Sequence, residues 1–433
     1  MSTRALPPRP NLEQYKKQAK DLLKSFKSHD PNVASRLRHH HPRLRGRPDT
    51  NDRNNVTEDE IWRAKFSLAD AQFIIAREHQ FESWPKFAKE IEALNRKGSE
   101  TERFEAAVDA IVSGDLATLK RLLRENPELI RQRSTREHRA MLLHYVAANA
   151  VEAYRQKTPK NIVEITEVLL KAGAEVDADL DYGRMKKRYP ERTGSTTLGL
   201  AATSCHPAEA GVQIKLLQTL IKHGASINGL PGRWNPIVAA LHNGRGHAAA
   251  YLAERGAELN LEGAAGTGRL DVAKTFFNDD GGLKPGATQE QMELGFAWAC
   301  EYGHADVADF LLKKGLNVAA QPHGETGLHW AAYGGHAKIV GMLLQRGAPV
   351  NVHDSRFNAP PLGWALHGWT YPAPEANPDG YYEVVARLVG AGANVDQNWL
   401  NDANEDRPIA QKVQSDKRML LALAGKTPGA VNS

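Results

Sequence analysis

Residues 324–354 read GETGLHWAAYGGHAKIVGMLLQRGAPVNVHD, and their apolar positions fall into two short helical stripes. Leu328, Ala331 and Ala332 make the first. Ile339, Val340, Leu343 and Leu344 make the second, at i, i+3 and i+4 spacing. Thr326 predicts the first helix start, because its hydroxyl can accept a backbone N–H left without a partner there. Gly334-Gly335 and Gly347 predict the two helix ends, since glycine tolerates the left-handed conformation just past a helix. Ala348 to Asn351 then leads, extended, into the next segment of the chain. Two helices this short cannot bury their apolar faces alone, so the pattern predicts stacking on neighbours of the same kind.

Those neighbours can be counted from the second-helix ending, an apolar pair followed by glycine. It appears as Leu169-Leu170 with Gly173, Leu220-Ile221 with Gly224, Leu252-Ala253 with Gly256, and Leu311-Leu312 with Gly315. Leu343-Leu344 with Gly347 and Leu388-Val389 with Gly392 complete the series, and eroded copies stand at Leu122-Leu123 and Phe276-Phe277. The pattern predicts eight units over residues 104–400, with a degenerate cap and tail in residues 401–433. The short step from Gly256 to Gly281 predicts a trimmed hairpin before Leu261. Gly327-Leu328-His329-Trp330-Ala331 stands where ankyrin repeats carry T-P-L-H-x-A, and the unit resembles that family, with Gly327 in place of proline. The resemblance implies an all-α solenoid whose contacts to partners come from hairpin tips and the exposed turns of first helices.

Where the spacing lengthens, loops have been inserted. Residues 151–160, 207–212 and 369–379 lie between the two helices of a unit and should emerge on one edge, where recognition loops commonly sit on a rigid scaffold. Residues 179–194 lie between units and carry Arg184, Lys187 and Arg188 among five cations, with Tyr182 and Tyr189. They read either as a solvated loop or as a basic finger for an acidic partner.

Residues 1–98 have another pattern. Leu12, Tyr15, Ala19, Leu22, Leu23 and Phe26 make one apolar face of a lysine-rich helix. Asp30-Pro31 predicts a second helix in N-cap then N1-proline order. From Arg36 to about residue 58 the pattern breaks, which predicts a mobile linker. Ser67 to Asp70 reads as a capping box, and Ser83 opens a last helix through Trp84, Phe87 and Ile91. This stretch resembles a helical leader found ahead of repeats in some bacterial ankyrin proteins. The resemblance implies no biochemical role for it.

Charge separates the two parts. Of 56 Lys/Arg and 51 Asp/Glu, residues 1–47 hold 12 and 3, so the basic excess belongs to the leader and the rest is net acidic. Such a segment could hold nucleic acid through phosphate contacts, as a regulatory or carrier subunit, although no RNA-recognition, zinc-finger or homeodomain pattern accompanies it. A solvated helix face or a protein docking arm is the plainer reading. No apolar run is long enough to span a membrane, and the start lacks the apolar core of a secretory signal. Two cysteines, Cys205 and Cys300, suit a reducing cytoplasm and read as packing residues.

Catalytic patterns are missing: there is no phosphate-binding loop, serine-nucleophile elbow or HExxH zinc motif. The sequence predicts no enzyme, no cofactor and no metal. His39-His40-His41 cannot all face one way on a helix, and His329, His304 and His336 occupy scaffold positions of the family. The sharper feature is a register of Trp298, Trp330 and Trp364 in three successive units, with Tyr302, Tyr333 and His367 one turn on. It reads as an inter-repeat core stack or as an aromatic floor on a concave face, and both hold if the indole bodies are buried and their edges wet. The expected function is a cytoplasmic, non-catalytic scaffold for a protein or peptide partner. The resemblance places its contacts at Glu301, Tyr302, Pro322, His323, Glu325, Tyr333, Arg356, Phe357, Ala359 and His367.

Overall fold

The computed structural model describes residues 4–7, 10–44, 56–180, 195–373, 376–395 and 408–426. It divides into two compact units, Met1–Trp234 and Asn235–Ser433. Every element longer than a single bridge among the described residues is helical.

The first unit opens with α1 (Leu12–Lys27), α2 (Pro31–His40), α3 (Glu58–Arg63), α4 (Leu68–Glu78) and α5 (Trp84–Leu94). The starts of α2, α4 and α5 are capped as the sequence predicts: the Ser67 and Asp70 side chains satisfy each other's backbone N–H, Asp30 caps α2 ahead of Pro31, and Ser83 caps α5. Tyr15, Ala19, Leu22 and Phe26 of α1 are buried among Ile74, Ile75, Phe81, Phe87 and Ile91. Each of the larger side chains, fully buried, contributes about 1.5–3 kcal/mol. Lys17, Lys20, Lys24 and Lys27 stand on the opposite, exposed face.

The expected linker does not begin at Arg36. Helix α2 runs on to His40 with Leu37 fully buried, and Arg36 donates from Nε and Nη2 to the two oxygens of buried Glu78 at 2.6 and 3.0 Å. A fork-to-fork ion pair fixes geometry as well as charge, so this arginine fastens α2 to α4. Residues 45–55 of the expected linker lie outside the described residues.

Three repeat pairs complete the first unit. They are α6 (Glu100–Ser113) with α7 (Leu116–Glu125), a 3-10 turn Leu142–Ala147 with α8 (Ile162–Lys171), and α9 (Thr197–Thr203) with α11 (Gln213–Lys222). The short α10 (Cys205–Glu209) is inserted in the last of these.

Five more pairs build the second unit: α12 (Pro236–His242) with α13 (Gly246–Glu254), α14 (Leu261–Gly266) with α15 (Leu270–Lys274), α16 (Gln289–Glu301) with α17 (Ala305–Lys313), α18 (Gly327–Tyr333) with α19 (Ala337–Gln345), and α20 (Pro361–Thr370) with α21 (Tyr381–Gly390). Helices α22 (Pro408–Ser415) and α23 (Lys417–Leu423) pack on the last pair. The hairpin before Leu261 is trimmed, as its spacing predicts, to the few residues between Gly256 and α14. One apolar core runs through this unit from Leu261 to Leu423.

A repeated side-chain bond ties each of the last three pairs to the one before. The ring of His304 bonds the Gly266 carbonyl, and Nε2 of His336 donates to the Glu301 carbonyl at 2.7 Å. In the next pair an insertion displaces the histidine, and the Tyr381 hydroxyl donates to the Tyr333 carbonyl at 2.6 Å instead. Glycine is required beside these rings. Gly303 has φ +85°, and a Cβ there would lie 2.7 Å from the His336 ring.

Trp369 is corrected from insertion to core. Helix α20 continues to Thr370, and Trp369 is buried against Tyr382, with the Lys412 ammonium 4.2 Å from its ring centroid. The loop therefore starts at Tyr371.

Candidate partner-binding surface

The tryptophan register forms a continuous ladder. Ring centroids are 5.6 Å apart for Trp298 and Trp330 and 5.0 Å for Trp330 and Trp364, both near edge-to-face. Trp298 is buried, while Trp330 and Trp364 are half-buried. The ladder extends through Tyr333, which lies 5.9 Å from Trp364 and 6.4 Å from His367, and His367 lies 5.2 Å from Tyr371. Phe357 meets Trp364 at 6.1 Å. The rings thus form one contiguous feature, buried at Trp298 and open at Phe357, His367 and Tyr371.

Two carboxylates that no sequence pattern marks hold the indole edges. Glu262 Oε1 accepts from Trp298 Nε1 at 2.9 Å and lies 2.8 Å from His242 Nε2. Asp354 is the hub of the next hairpin. Its Oδ1 accepts from the backbone N–H of Arg356 and Phe357 at 2.8 and 2.6 Å, and its Oδ2 from Ala359 N–H and Trp364 Nε1, both at 3.0 Å. Burial alone would raise its pKa, but these donors favour the anion and bring it down to about 2. This cage presents Phe357, 63% exposed, with the Arg356 guanidinium 5.0 Å from its ring centroid.

The expected contact residues divide by exposure. His323, Arg356, Phe357 and His367 are exposed, and Tyr302, Pro322, Tyr333 and Ala359 are half-buried. Tyr302 donates its hydroxyl to the Leu241 carbonyl at 3.0 Å, so it ties repeats together. Ala359 accepts from His329 Nε2 at 3.2 Å. Glu301 and Glu325 are buried, which corrects the expectation of exposed contacts there. Burial, with Asp354 nearby, pushes the Glu325 carboxyl above its ordinary range. Arg184, Lys187 and Arg188 lie outside the described residues.

The histidines keep the scaffold roles that the family resemblance implies. Burial holds His304, His329 and His336 below the ordinary imidazole range, and each ring is hydrogen-bonded to backbone. The Cys300 thiol is raised by complete burial.

The insertion at residues 151–160 is partly an internal element. Glu152 and Arg155 turn inward and join Arg136, which is almost fully buried. Arg136 pairs through Nε with Glu152, through Nη2 with Glu105 at 3.1 Å, and through Nη1 with the His79 carbonyl at 3.2 Å. Arg155 donates to Glu105 at 2.6 Å and to Asp109 at 2.7 Å. Burial alone would raise the Glu152 carboxyl, but Arg136, His138 and Arg155 override it and hold it far below the ordinary range. Thr135 donates to Glu90 at 2.6 Å, and burial pushes that carboxyl up to about 6. The network fastens α4 and α5 to the first repeats.

Residues 261–354 match the family model of ankyrin repeats, in three copies. Residues 261–354 therefore carry ankyrin repeats, modules whose general use is protein–protein interaction. The crystal structure of the human ASB11 ankyrin repeat domain is similar at 22% identity, covering 52% of this chain and 96% of that one, with a TM-score of 0.28. No curated protein matches the chain. Among the described residues no helix is long and apolar enough to cross a membrane.

Proposed function

We propose that the chain is a non-catalytic scaffold whose second unit holds a protein or peptide partner along the open end of the aromatic ladder. The observation that carries this reading is the continuity of exposed rings. Phe357 and Tyr371 are 63% and 48% exposed, and both connect through ring contacts to Trp364, Tyr333 and His367. Exposed aromatic surface on a rigid base, with an arginine alongside, is the composition of interface hot spots. The backbone-tied histidines and the buried thiol support the absence of a catalytic role.

The test uses a partner captured by the full chain from its native cell. Phe357→Ala combined with His367→Ala weakens that partner's affinity by about 2 kcal/mol or more, without changing the helical circular dichroism, because both side chains are exposed. Normal binding by the double variant, with loss on replacing Arg184, Lys187 and Arg188 by alanine, moves the site to residues 179–194.

A further inference from the structure

We propose that Cys205, His206 and Glu209 form a three-ligand site for a zinc-type divalent transition metal, on the insertion of the third repeat. The Cys205 Sγ, a ring nitrogen of His206 and a Glu209 carboxylate oxygen lie within 4.8 Å of one another. Helical spacing brings them together: Glu209 stands four residues after Cys205 and three after His206, so one turn carries all three to one side of α10. Tetrahedral zinc, with bonds of about 2.0–2.3 Å, needs its ligand atoms closer by about an ångström. A rotamer change of the exposed Glu209 can supply that. The sulfur, nitrogen and oxygen donor set favours zinc or cobalt over magnesium or calcium, which take oxygen ligands.

The base under the site is rigid. Buried Gln213 donates from Nε2 to the carbonyls of Ala201, Ala202 and Ser204 at 2.9, 3.2 and 3.1 Å. Asn149 donates to the Thr203 hydroxyl at 2.9 Å. The backbone entering Cys205 is therefore held before any metal arrives. Binding replaces the thiol S–H bond with a metal–sulfur bond and releases that proton to solvent, so apparent affinity rises with pH. Three protein ligands leave the fourth position to water or to a donor brought by a partner. The histidine run in α2 offers no comparable set: His39 bonds the Ser35 carbonyl at 2.7 Å, and His41 is buried beside Asp70.

The probe is cobalt(II), titrated into the reduced full-length chain and then displaced with zinc. The expected result is one cobalt per chain, with a sulfur-to-cobalt charge-transfer band that is abolished by Cys205→Ser and unaffected by His39→Ala with His40→Ala. His206→Ala and Glu209→Ala each weaken cobalt affinity at least tenfold while the apo proteins keep wild-type circular dichroism. The proposal is overturned if no such band forms at micromolar cobalt, if it survives Cys205→Ser, or if both ligand variants bind as the wild type does, which is the behaviour of a lone thiolate.

Discussion

Glu152→Ala lowers the stability of the first unit by about 3–5 kcal/mol, the cost of leaving a buried charge without its partner. The charge is Arg136, whose side chain is 1% exposed and whose guanidinium is shared between Glu152 and Glu105. Removing one carboxylate leaves a fully desolvated cation that must share Glu105 with Arg155, whose other remaining partner is the exposed Asp109. An exposed pair gives the contrast. Lys120 and Glu164 sit 3.9 Å apart at more than half exposure, and Glu164→Ala changes stability by under about 1 kcal/mol. Urea denaturation followed by circular dichroism separates the two. Equal midpoints for both variants contradict the account of the inserted segment as an internal lock.

Trp298→Ala costs the second unit about 3–5 kcal/mol, the range for a large aromatic removed from a core. Trp298 is 4% exposed, packs on Trp330 and His242, and satisfies buried Glu262. Its loss removes apolar contacts and one of the donors to a carboxylate with little access to water. Trp330→Ala costs less, because that ring is half-buried and borders solvent. Denaturation midpoints give the order, and a larger loss for Trp330→Ala is the result that contradicts a ladder buried at one end and open at the other.

The distance between interacting residues decides how much of this is legible in the sequence. The Thr326 cap and the apolar stripes of residues 328–344 are set by neighbours in the same or the adjoining unit and can be read from the chain, whereas the role of His329 comes from the family resemblance. The register of Trp298, Trp330 and Trp364 is legible because repeats place equivalent residues at equal intervals. Glu152 and Arg155 look like part of a recognition loop. Their partners Glu105 and Arg136 carry no periodic mark, so a charged insertion looks solvated until it is folded. Arg36 passes for linker for the same reason, its partner Glu78 lying 42 residues on. Trp369 passes for loop because no local signal carries α20 beyond His367, whereas packing against Tyr382 sets the helix end. Asp354 resembles an ordinary turn residue. Its four accepted hydrogen bonds depend on the hairpin curling around it.

The claim that a partner lies along the open ladder is tested most directly by backbone hydrogen exchange of the full chain, alone and saturated with its captured partner. The account predicts new protection at residues 353–359 and around His367 to Tyr371, with α1 and its exposed lysines unchanged. Protection confined to Leu12–Lys27 or to residues 179–194, with the 353–371 region exchanging as in the free chain, contradicts it.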